Sequence, residues 1–233
     1  MHSLSIVIPA FNEEQRLPDT LDRITGWLAA KSWDQTEILV VDDGSRDGTA
    51  KLAESYGRGV RLLRNPGNRG KGYAVRHGML EANGEWILYT DADLSAPIEE
   101  FDKLCVAAAT GKAQAAIGSR ALDRSLVKVH QAPFREYSGR FFNLVMRMTT
   151  GLPFLDTQCG FKLFRRDAAQ AIFSRQKLDG FSFDVEDLYI AKKLGIAVVE
   201  VPVRWSNVEG TKVSLLSGLR SFQDLVLIRR LHG

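Results

Sequence analysis

The sequence lacks the patterns of a disulfide-stabilised, zinc-binding or membrane-spanning protein. Its 233 residues include two cysteines, Cys105 and Cys159, which are far apart and without CxxC spacing, so a reducing compartment with buried thiols is expected. No window approaches eighteen uninterrupted apolar residues, and the N-terminus has no basic segment followed by an apolar one. We therefore expect a chain that is neither exported nor membrane-spanning.

Two common nucleotide-binding loops are also missing. The first apolar run is followed by PAFNEE instead of GxGxxG, which weighs against a nicotinamide or flavin dinucleotide. Residues 65–78, NPGNRGKGYAVRHG, are not a P-loop, because Asn65 replaces its first glycine and Gly72 follows Lys71. The glycines, Arg69 and Lys71 still predict that backbone and cations approach phosphates.

The composition, 45% hydrophobic and 25% charged, predicts one globular domain. The net charge is only +3, yet six Lys or Arg lie between Arg120 and Arg147 against two acids. The segment from Arg120 to Arg147 would therefore attract phosphates or an anionic surface. Its aromatic residues are grouped with aliphatic ones and not interleaved as stacking platforms, so no nucleic-acid partner is expected.

Short apolar runs alternate with helical patterns. Helical spacing of apolar residues predicts a helix over 14–31, and SRDGTA opens a second one over 45–56. The alternation indicates βαβ units, hence an α/β fold with a Rossmann-like, mostly parallel sheet flanked by helices. The predicted strands are 4–9, 37–43, 60–63, 85–93, 114–120 and 197–205.

Asp91 and Asp93 end the predicted strand 85–93, where strand alternation projects both carboxylates the same way. A lone DxD is common in solvated loops. Here, however, it lies at a strand end, and the carboxyl ends of parallel strands meet at one cleft. Mg²⁺ and Mn²⁺ are commonly held by one or two carboxylates plus substrate oxygens. We therefore predict a site for a metal-bound diphosphate.

Other polar residues follow the first two runs. Asp43 of DDGS can accept from a nucleobase N–H or a ribose hydroxyl, or it can belong to a helix-capping turn. Pro9, Phe11 and Glu13 can form a shelf for a base, although an isolated Phe is more often part of a core.

Seven motifs then occur together, in the order and at about the spacing found in family 2 glycosyltransferases of the GT-A fold. They are IVIPAFNEE, VVDDGSRDGT, NRGKGYAVRHGM, YTDADLSAP, DTQCGFKLFRR, FDVED and EVPVRW, between residue 4 and about residue 213. The sequence most resembles the dolichyl-phosphate glucosyltransferase and polyprenyl-phosphate mannosyltransferase branch.

This resemblance implies roles for individual residues. Asp93 would be the principal metal ligand, with Asp91 near the nucleoside and metal, and Arg120 and Arg204 would face the diphosphate. The acceptor phosphate would meet Arg135, Ser138 or Arg140. The donor-binding residues would be Pro9, Phe11, Glu13, Asp43, Lys71, Asp91, Ala92 and Arg120.

The implied reaction is a single displacement with inversion that moves a hexose from a nucleotide sugar to polyprenyl or dolichyl phosphate, assisted by Mg²⁺ or Mn²⁺. Ser95 stands where mannosyl members commonly have a Gln that adds a metal ligand. DTQCGFKLF, FDVE and VPVRW followed by GTKV at 210–213 resemble the glucosyl members. UDP-glucose is therefore favoured over GDP-mannose, with a GDP-mannose-dependent mannosyltransferase as the alternative.

Asp187, in the Glu186-Asp187 pair, has two alternative roles. Relatives that glycosylate hydroxyls use such an aspartate as the general base, which a hydroxyl acceptor requires. A phosphate monoester is mostly dianionic at neutral pH and needs no base. Asp187 would then be a helix-start acid favoured by the helix dipole, with Asp184 as N-cap and Glu186 orienting sugar hydroxyls.

Two amphipathic stretches suit a membrane surface or a core. Residues 137–149 and the C-terminal residues combine apolar side chains with arginines. In the C-terminal stretch Leu215, Leu219, Phe222 and Val226 would share one face. The eukaryotic members carry an N-terminal membrane anchor that this sequence lacks, so we expect a peripheral protein at the cytoplasmic face of the membrane. The expected divisions of the domain are a nucleotide-sugar half (1–120), an acceptor half (121–213) and a C-terminal helix (214–233).

Two other classes compete with this interpretation. A nucleotidyltransferase also uses strand-end carboxylates and a metal, but it would carry a glycine-rich loop where this chain has PAFNEE. A non-catalytic nucleotide-sugar-binding module at a membrane surface would keep the base shelf and could lose the metal-binding acids, whereas Asp91 and Asp93 are both present.

Overall fold

The computed structural model describes residues 2–129, 133–208 and 215–233, without the side chains of residues 133–137, 140 and 215–220. The GTKV segment therefore lies outside the described residues, as do the side chains of Arg135, Arg140, Leu215 and Leu219.

Strands and helices alternate along the first half of the chain, as the apolar runs predict. The strands are β1 (Ser3–Ala10), β2 (Gln35–Asp42), β3 (Val60–Arg64), β4 (Trp86–Thr90), β5 (Ala115–Ser119), β6 (Val127–Val129), β7 (Phe161–Arg165), β8 (Val198–Pro202) and β9 (Trp205–Ser206). The helices are α1 (Leu17–Ala29), α2 (Thr49–Tyr56), α3 (Lys71–Glu81), α4 (Phe101–Thr110), α5 (Pro133–Thr150), α6 (Arg166–Phe173), α7 (Phe183–Lys193) and α8 (Leu215–His232).

Seven strands form one sheet in the order β3-β2-β1-β4-β7-β5-β8, and β6 pairs with β9 in a separate two-stranded ladder. All pairs in the large sheet are parallel except those of β7, which runs antiparallel to both β4 and β5. The predicted α/β fold with a mostly parallel sheet flanked by helices is confirmed. Strands β6 and β7 were not predicted from the sequence, and the single strand predicted over 197–205 is divided between β8 and β9.

Helices cover both faces of the sheet, so its central strands are buried on both sides. On β1, Ile6 and Ile8 belong to an apolar cluster with α1, α2 and α4, while Val7 belongs to a second cluster with α3, α6 and α7. This division follows from the alternation of side chains along a strand. Gly78 lets α3 approach β1 closely, since a Cβ at this position would lie 2.4 Å from Val7 Cγ1.

Two local predictions need correction. Helix α2 begins at Thr49, not at residue 45, because the carboxylate of Asp47 accepts from the Thr49 amide at 3.0 Å and holds the preceding residues in a turn. Both cysteines are free thiols, but only Cys159 is buried, while Cys105 on α4 is half-buried. Of the helices described, none is both long enough and apolar enough to cross a membrane.

The sheet topology brings the predicted site residues to one edge. Strands β1, β2 and β4 are parallel, so their carboxyl ends, which precede Phe11, Asp43 and Asp91, face the same way. Because β7 is antiparallel to β4, it begins at this edge, with Phe161 opposite Thr90. The segment before β7 therefore also reaches the cleft.

Candidate active site

Asp91 lies at the end of β4, among groups from three parts of the chain. Its amide donates to the carbonyl of Gly160 at 3.2 Å, and its Oδ1 accepts from the Tyr89 hydroxyl at 3.3 Å. The ammonium of Lys71, the first residue of α3, lies 2.7 Å from the same Oδ1. Burial acts to lower the pKa of Lys71, but Asp91 and Asp184 outweigh it and raise that pKa, so this lysine is a cation beside Asp91.

Asp93 is half-buried two residues further on. Its Oδ1 accepts from the Ser95 amide at 2.9 Å. Burial and the charge of Asp91 raise the pKa of Asp93. The charge of Asp91 therefore disfavours the ionisation of Asp93, an effect that a bound cation relieves.

The carboxylates of Asp91 and Asp93 suit Mg²⁺ or Mn²⁺ if a substrate supplies further oxygen ligands. No group of three or more His, Cys, Asp or Glu side chains able to hold a metal occurs in the described part of the chain. Asp91 and Asp93 supply hard oxygen ligands, and these ions are commonly held by one or two carboxylates plus substrate oxygens. The residues present therefore suit a cation that arrives together with a diphosphate.

Asp43 organises the glycine-rich segment. Its carboxylate is buried and accepts from the side chain of Asn65 and from the amides of Arg69 and Gly70. The carbonyl of Asp179 accepts from the amides of Gly72 and Tyr73, at 2.8 and 3.3 Å. The predicted approach of this backbone to phosphates does not hold for these four amides, because all are engaged within the protein.

The two arginines assigned to the diphosphate are each held by a buried carboxylate. Arg120 donates through Nε and Nη2 to Asp156 at 2.6 and 2.8 Å, and its guanidinium lies 5.3 Å from the centroid of the Trp205 ring. Burial acts to raise the pKa of Asp156, but Arg120 outweighs it and lowers that pKa. Arg204 donates through Nε to Glu100, and its side chain is 41% exposed.

Behind Asp91 lies a second, fully buried ion pair. Lys162, the second residue of β7, donates to Asp184 in the first turn of α7. The ammonium groups of Lys71 and Lys162 lie 5.6 and 5.5 Å from the centroid of the Tyr89 ring. Cations and carboxylates therefore alternate from the cleft into the protein.

The acidic residues of α7 have separate environments. Asp184 is not the N-cap as predicted, since Ser182 occupies that position and Asp184 is engaged with Lys162. Glu186 is fully buried and accepts from the amides of Lys177 and Leu178, both at 2.8 Å, and its carboxylate also bonds the His232 ring. It therefore supports the fold, and the predicted contact with sugar hydroxyls does not hold for it.

Asp187 is 2% exposed, and its Oδ1 has no hydrogen-bond partner among the described residues. Burial, Asp184 and Glu186 raise the pKa of Asp187 well above its usual value. Buried polar groups are normally hydrogen-bonded, and carboxyls with strongly raised pKa values cluster at functional sites, so Asp187 is a candidate functional residue.

The remaining predicted residues fall near the edge of the cleft or away from it. Pro9 and Phe11 are half-buried, and the carboxylate of Glu13 bonds Arg16 at 2.7 Å. Ala92 is buried, and its carbonyl accepts from a threonine hydroxyl of α1 at 2.7 Å. Ser138 is exposed on α5. Sequence reasoning assigned no role to Glu100, Asp156, Gly160 or Lys162, although the last three lie in the quoted DTQCGFKLF motif.

Comparisons with known proteins agree with the motifs. Residues 5–173 match Glycosyl transferase family 2. The dolichyl-phosphate beta-glucosyltransferase of Drosophila melanogaster is 38% identical over 240 residues, covering 97% of this chain and 74% of that protein. The human protein of the same name is 37% identical over 242 residues, with the same coverage of 97% and 74%.

A solved structure shares the fold. Glucosyl-3-phosphoglycerate synthase from Mycobacterium tuberculosis, in complex with Mn²⁺, UDP-glucose and glycerol 3-phosphate, aligns with a TM-score of 0.69 at 21% identity, covering 100% of this chain and 80% of that one. The fold is that of a GT-A glycosyltransferase. The chain belongs to glycosyl transferase family 2, as its motifs predicted.

Gly160 provides a test of the site geometry. A Cβ at this position would lie 2.1 Å from Asp91 Oδ2, so Gly160→Ala must displace that carboxylate or the β7 backbone. We expect the substitution to lower the free energy of unfolding by about 1–3 kcal/mol, as overpacking does. We also expect turnover to fall at least about tenfold, because small displacements of catalytic groups are costly.

Gly180→Ala is the matched control, because a Cβ at Gly180 meets nothing within 4 Å. Denaturant unfolding and steady-state kinetics would be compared for the two variants and the wild type. Wild-type stability and activity in both variants would show that the described position of Asp91 is wrong.

Proposed function

We propose that this enzyme transfers glucose from UDP-glucose to dolichyl or polyprenyl phosphate with inversion at the anomeric carbon. The observation that carries the proposal is the pair of carboxylates, Asp91 and Asp93, held at the end of β4 beside the Lys71 ammonium. The curated relatives add support, because the fly, human and yeast proteins, the last 34% identical over 246 residues, share the name dolichyl-phosphate beta-glucosyltransferase.

The donor would bind along the carboxyl edge of the sheet. Asp43 would accept a hydrogen bond from the ribose or base, and Pro9 and Phe11 would lie beside the base. Mg²⁺ or Mn²⁺ on Asp91 and Asp93, when bound, would neutralise charge on the departing diphosphate. The solved relative with Mn²⁺ and UDP-glucose is consistent with such a cofactor.

In the reaction, an oxygen of the acceptor phosphate attacks the anomeric carbon as the bond to the UDP oxygen breaks, and UDP leaves with the electron pair. The Lys71 ammonium would add positive charge beside the leaving group, and Arg204 would do the same from the β8 side. Arg120 is bound to Asp156 through two nitrogens, so we assign it to holding the segment before β7.

A hydroxyl acceptor is the second candidate. The observation that favours it is the unpartnered Oδ1 of Asp187, together with the raised pKa of this carboxyl. A base with a raised pKa is matched to proton transfer near neutral pH. A lipid phosphate, in contrast, needs no base.

We also propose that α5 and α8 hold the enzyme on the cytoplasmic face of a membrane. Phe141, Leu144 and Met148 lie at helical spacing on α5 and are 61%, 55% and 79% exposed. Helix α8 packs on α5 through contacts that include Phe222, whose ring centroid lies 5.3 Å from that of Phe142. The exposed residues of α8 include Val226, Leu227, Leu231, Arg229 and Arg230.

This arrangement suits the interface of an anionic bilayer, where apolar side chains enter the acyl boundary and arginines meet phosphates. It would also place the acceptor's phosphate near α5. Arg135, Ser138 and Arg140 on this helix remain the proposed acceptor-binding residues.

The first test is Asp93→Asn. Loss of this charge should reduce UDP release from UDP-glucose and polyprenyl phosphate to background, because a neutral amide holds the cation and the diphosphate poorly. Chelation of divalent metal from the wild type should have the same effect. Asp123→Asn is the control at an exposed carboxylate. Full activity of Asp93→Asn with metal chelated would rule out the proposed role.

The second test is Asp187→Asn with two acceptors. With polyprenyl phosphate the rate should fall less than about tenfold, whereas a hydroxyl acceptor should lose about a hundredfold or more, the usual contribution of a general base. An equal collapse with both acceptors would contradict the phosphate-nucleophile mechanism. The variant should melt no lower than the wild type at pH 7, because the raised pKa means that ionising Asp187 destabilises the folded protein there, and asparagine does not ionise.

The third test concerns the membrane. Replacing Phe141, Leu144 and Met148 together with serine should reduce co-sedimentation with phosphatidylglycerol vesicles at least about tenfold, since each inserted apolar side chain contributes about 1.5–3 kcal/mol when fully buried. Val106→Ser is the control, because Val106 is 66% exposed on α4. Unchanged vesicle binding by the triple variant would exclude this face.

A further inference from the structure

Three polar side chains form a continuous chain of hydrogen bonds behind the predicted nucleoside site. Asn65 Nδ2 lies 2.8 Å from Asp43 Oδ1. On its other side, Asn65 Oδ1 lies 2.8 Å from Nδ1 of His77. Asp43 and Asn65 are buried, being 4% and 7% exposed. These hydrogen bonds connect the end of β2, the residue after β3 and the second turn of α3.

The direction of these hydrogen bonds follows from Asp43. An ionised carboxylate can only accept, so Asn65 must turn its NH₂ group toward Asp43 and its carbonyl toward His77. The carbonyl can only accept in turn, which requires that His77 carry a proton on Nδ1. His77 therefore helps to keep the Asn65 amide from rotating, because the rotated amide would set its NH₂ group against the Nδ1–H of His77 as well as its carbonyl against the carboxylate.

Asp43 has limited capacity for a ligand. Its Oδ1 accepts from both Asn65 Nδ2 and the amide of Arg69, while its Oδ2 accepts, within the described residues, from the amide of Gly70 alone, at 2.8 Å. A carboxylate offers about four acceptor sites, two on each oxygen. Among the described contacts, the one site left on Asp43 is therefore on Oδ2, which suits a single hydroxyl or N–H donor.

We propose that His77 is a positioning residue for the donor nucleotide. Through Asn65 it fixes which oxygen of Asp43 remains available, and hence where a ribose hydroxyl or base N–H can bind. The inference rests on the proposed function, because it takes Asp43 as a nucleoside contact. His77 itself is not expected to touch the substrate.

The test compares three replacements of His77 by titration of UDP in the presence of Mn²⁺ and by steady-state kinetics with UDP-glucose. Asparagine places an N–H donor close to the position of Nδ1, glutamine reaches beyond it, and leucine has no donor. His77→Leu and His77→Gln should raise the Kd of UDP and the KM of UDP-glucose about tenfold, the effect of one lost hydrogen bond, with kcat within about twofold. His77→Asn should keep both constants within about threefold of the wild type.

Tyr73→Phe is the control on the same helix, because its ring lies against His77 with centroids 6.5 Å apart and only the hydroxyl is lost. It should bind UDP like the wild type. If all three His77 variants bound UDP with the same Kd, the proposal would be overturned. This holds whether that Kd equals the wild-type value or is raised, because in either case the donor at the position of Nδ1 would make no difference.

The His77→Gln variant keeps the test decisive if the leucine variant does not fold, because it retains a polar side chain of similar size. A wild type that neither binds UDP nor releases it from UDP-glucose would overturn the proposed function along with this inference. Normal UDP binding by the wild type and by His77→Gln alike would overturn the role of His77 alone.

Discussion

The contact between Lys71 and Asp91 is the interaction on which the cleft depends. It brings a cation from the start of α3 against the first carboxylate after β4, 2.7 Å away. Charges of alternating sign continue inward to Asp184 and Lys162, and both lysine ammonium groups lie within 5.6 Å of the centroid of the Tyr89 ring. Without these cations, the carboxylates of the cleft would repel one another, and their desolvation would favour the neutral forms.

This arrangement also explains why the segment before β7 is constrained. Asp91 fits only because residue 160 has no side chain, and Arg120 holds Asp156 four residues earlier. Glu200 adds to this, because its carboxylate accepts from the amide of Asp156 at 2.7 Å. The DTQCG motif thus lines the site. It is held there by the close packing of Gly160 against Asp91 and by the ion pair of Asp156 with Arg120.

The parallel part of the fold could be predicted from the sequence, because apolar runs and helical spacing are local signals. Strand β7 could not, since Lys162 interrupts its apolar run and a lysine is normally a surface residue. Its burial becomes favourable only through Asp184, which follows 22 residues later in the chain. The ion pair with Asp184 therefore explains both why Lys162 is buried and why β7 could not be predicted from its own residues.

For the site residues, too, local features could be predicted from the sequence and contacts between distant residues could not. The position of Asp91 and Asp93 directly after β4 could be predicted, because the apolar run before them is a local signal. The pairing of Arg120 with Asp156 and of Arg204 with Glu100 could not, because the partners are 36 and 104 residues apart. A motif gives the type of a side chain at a position, but not whether its charge is already satisfied within the protein.

The position of β7 between β4 and β5 affects how the chain acquires its structure during synthesis. When the first 120 residues have emerged from the ribosome, β4 and β5 have no common partner, because the strand that joins them ends only at Arg165. An open strand edge can pair with other chains. About 45 more residues must be synthesised before β7 is complete, which takes about two to nine seconds at ordinary elongation rates. During this time the unpaired edges of β4 and β5 must stay protected from other chains.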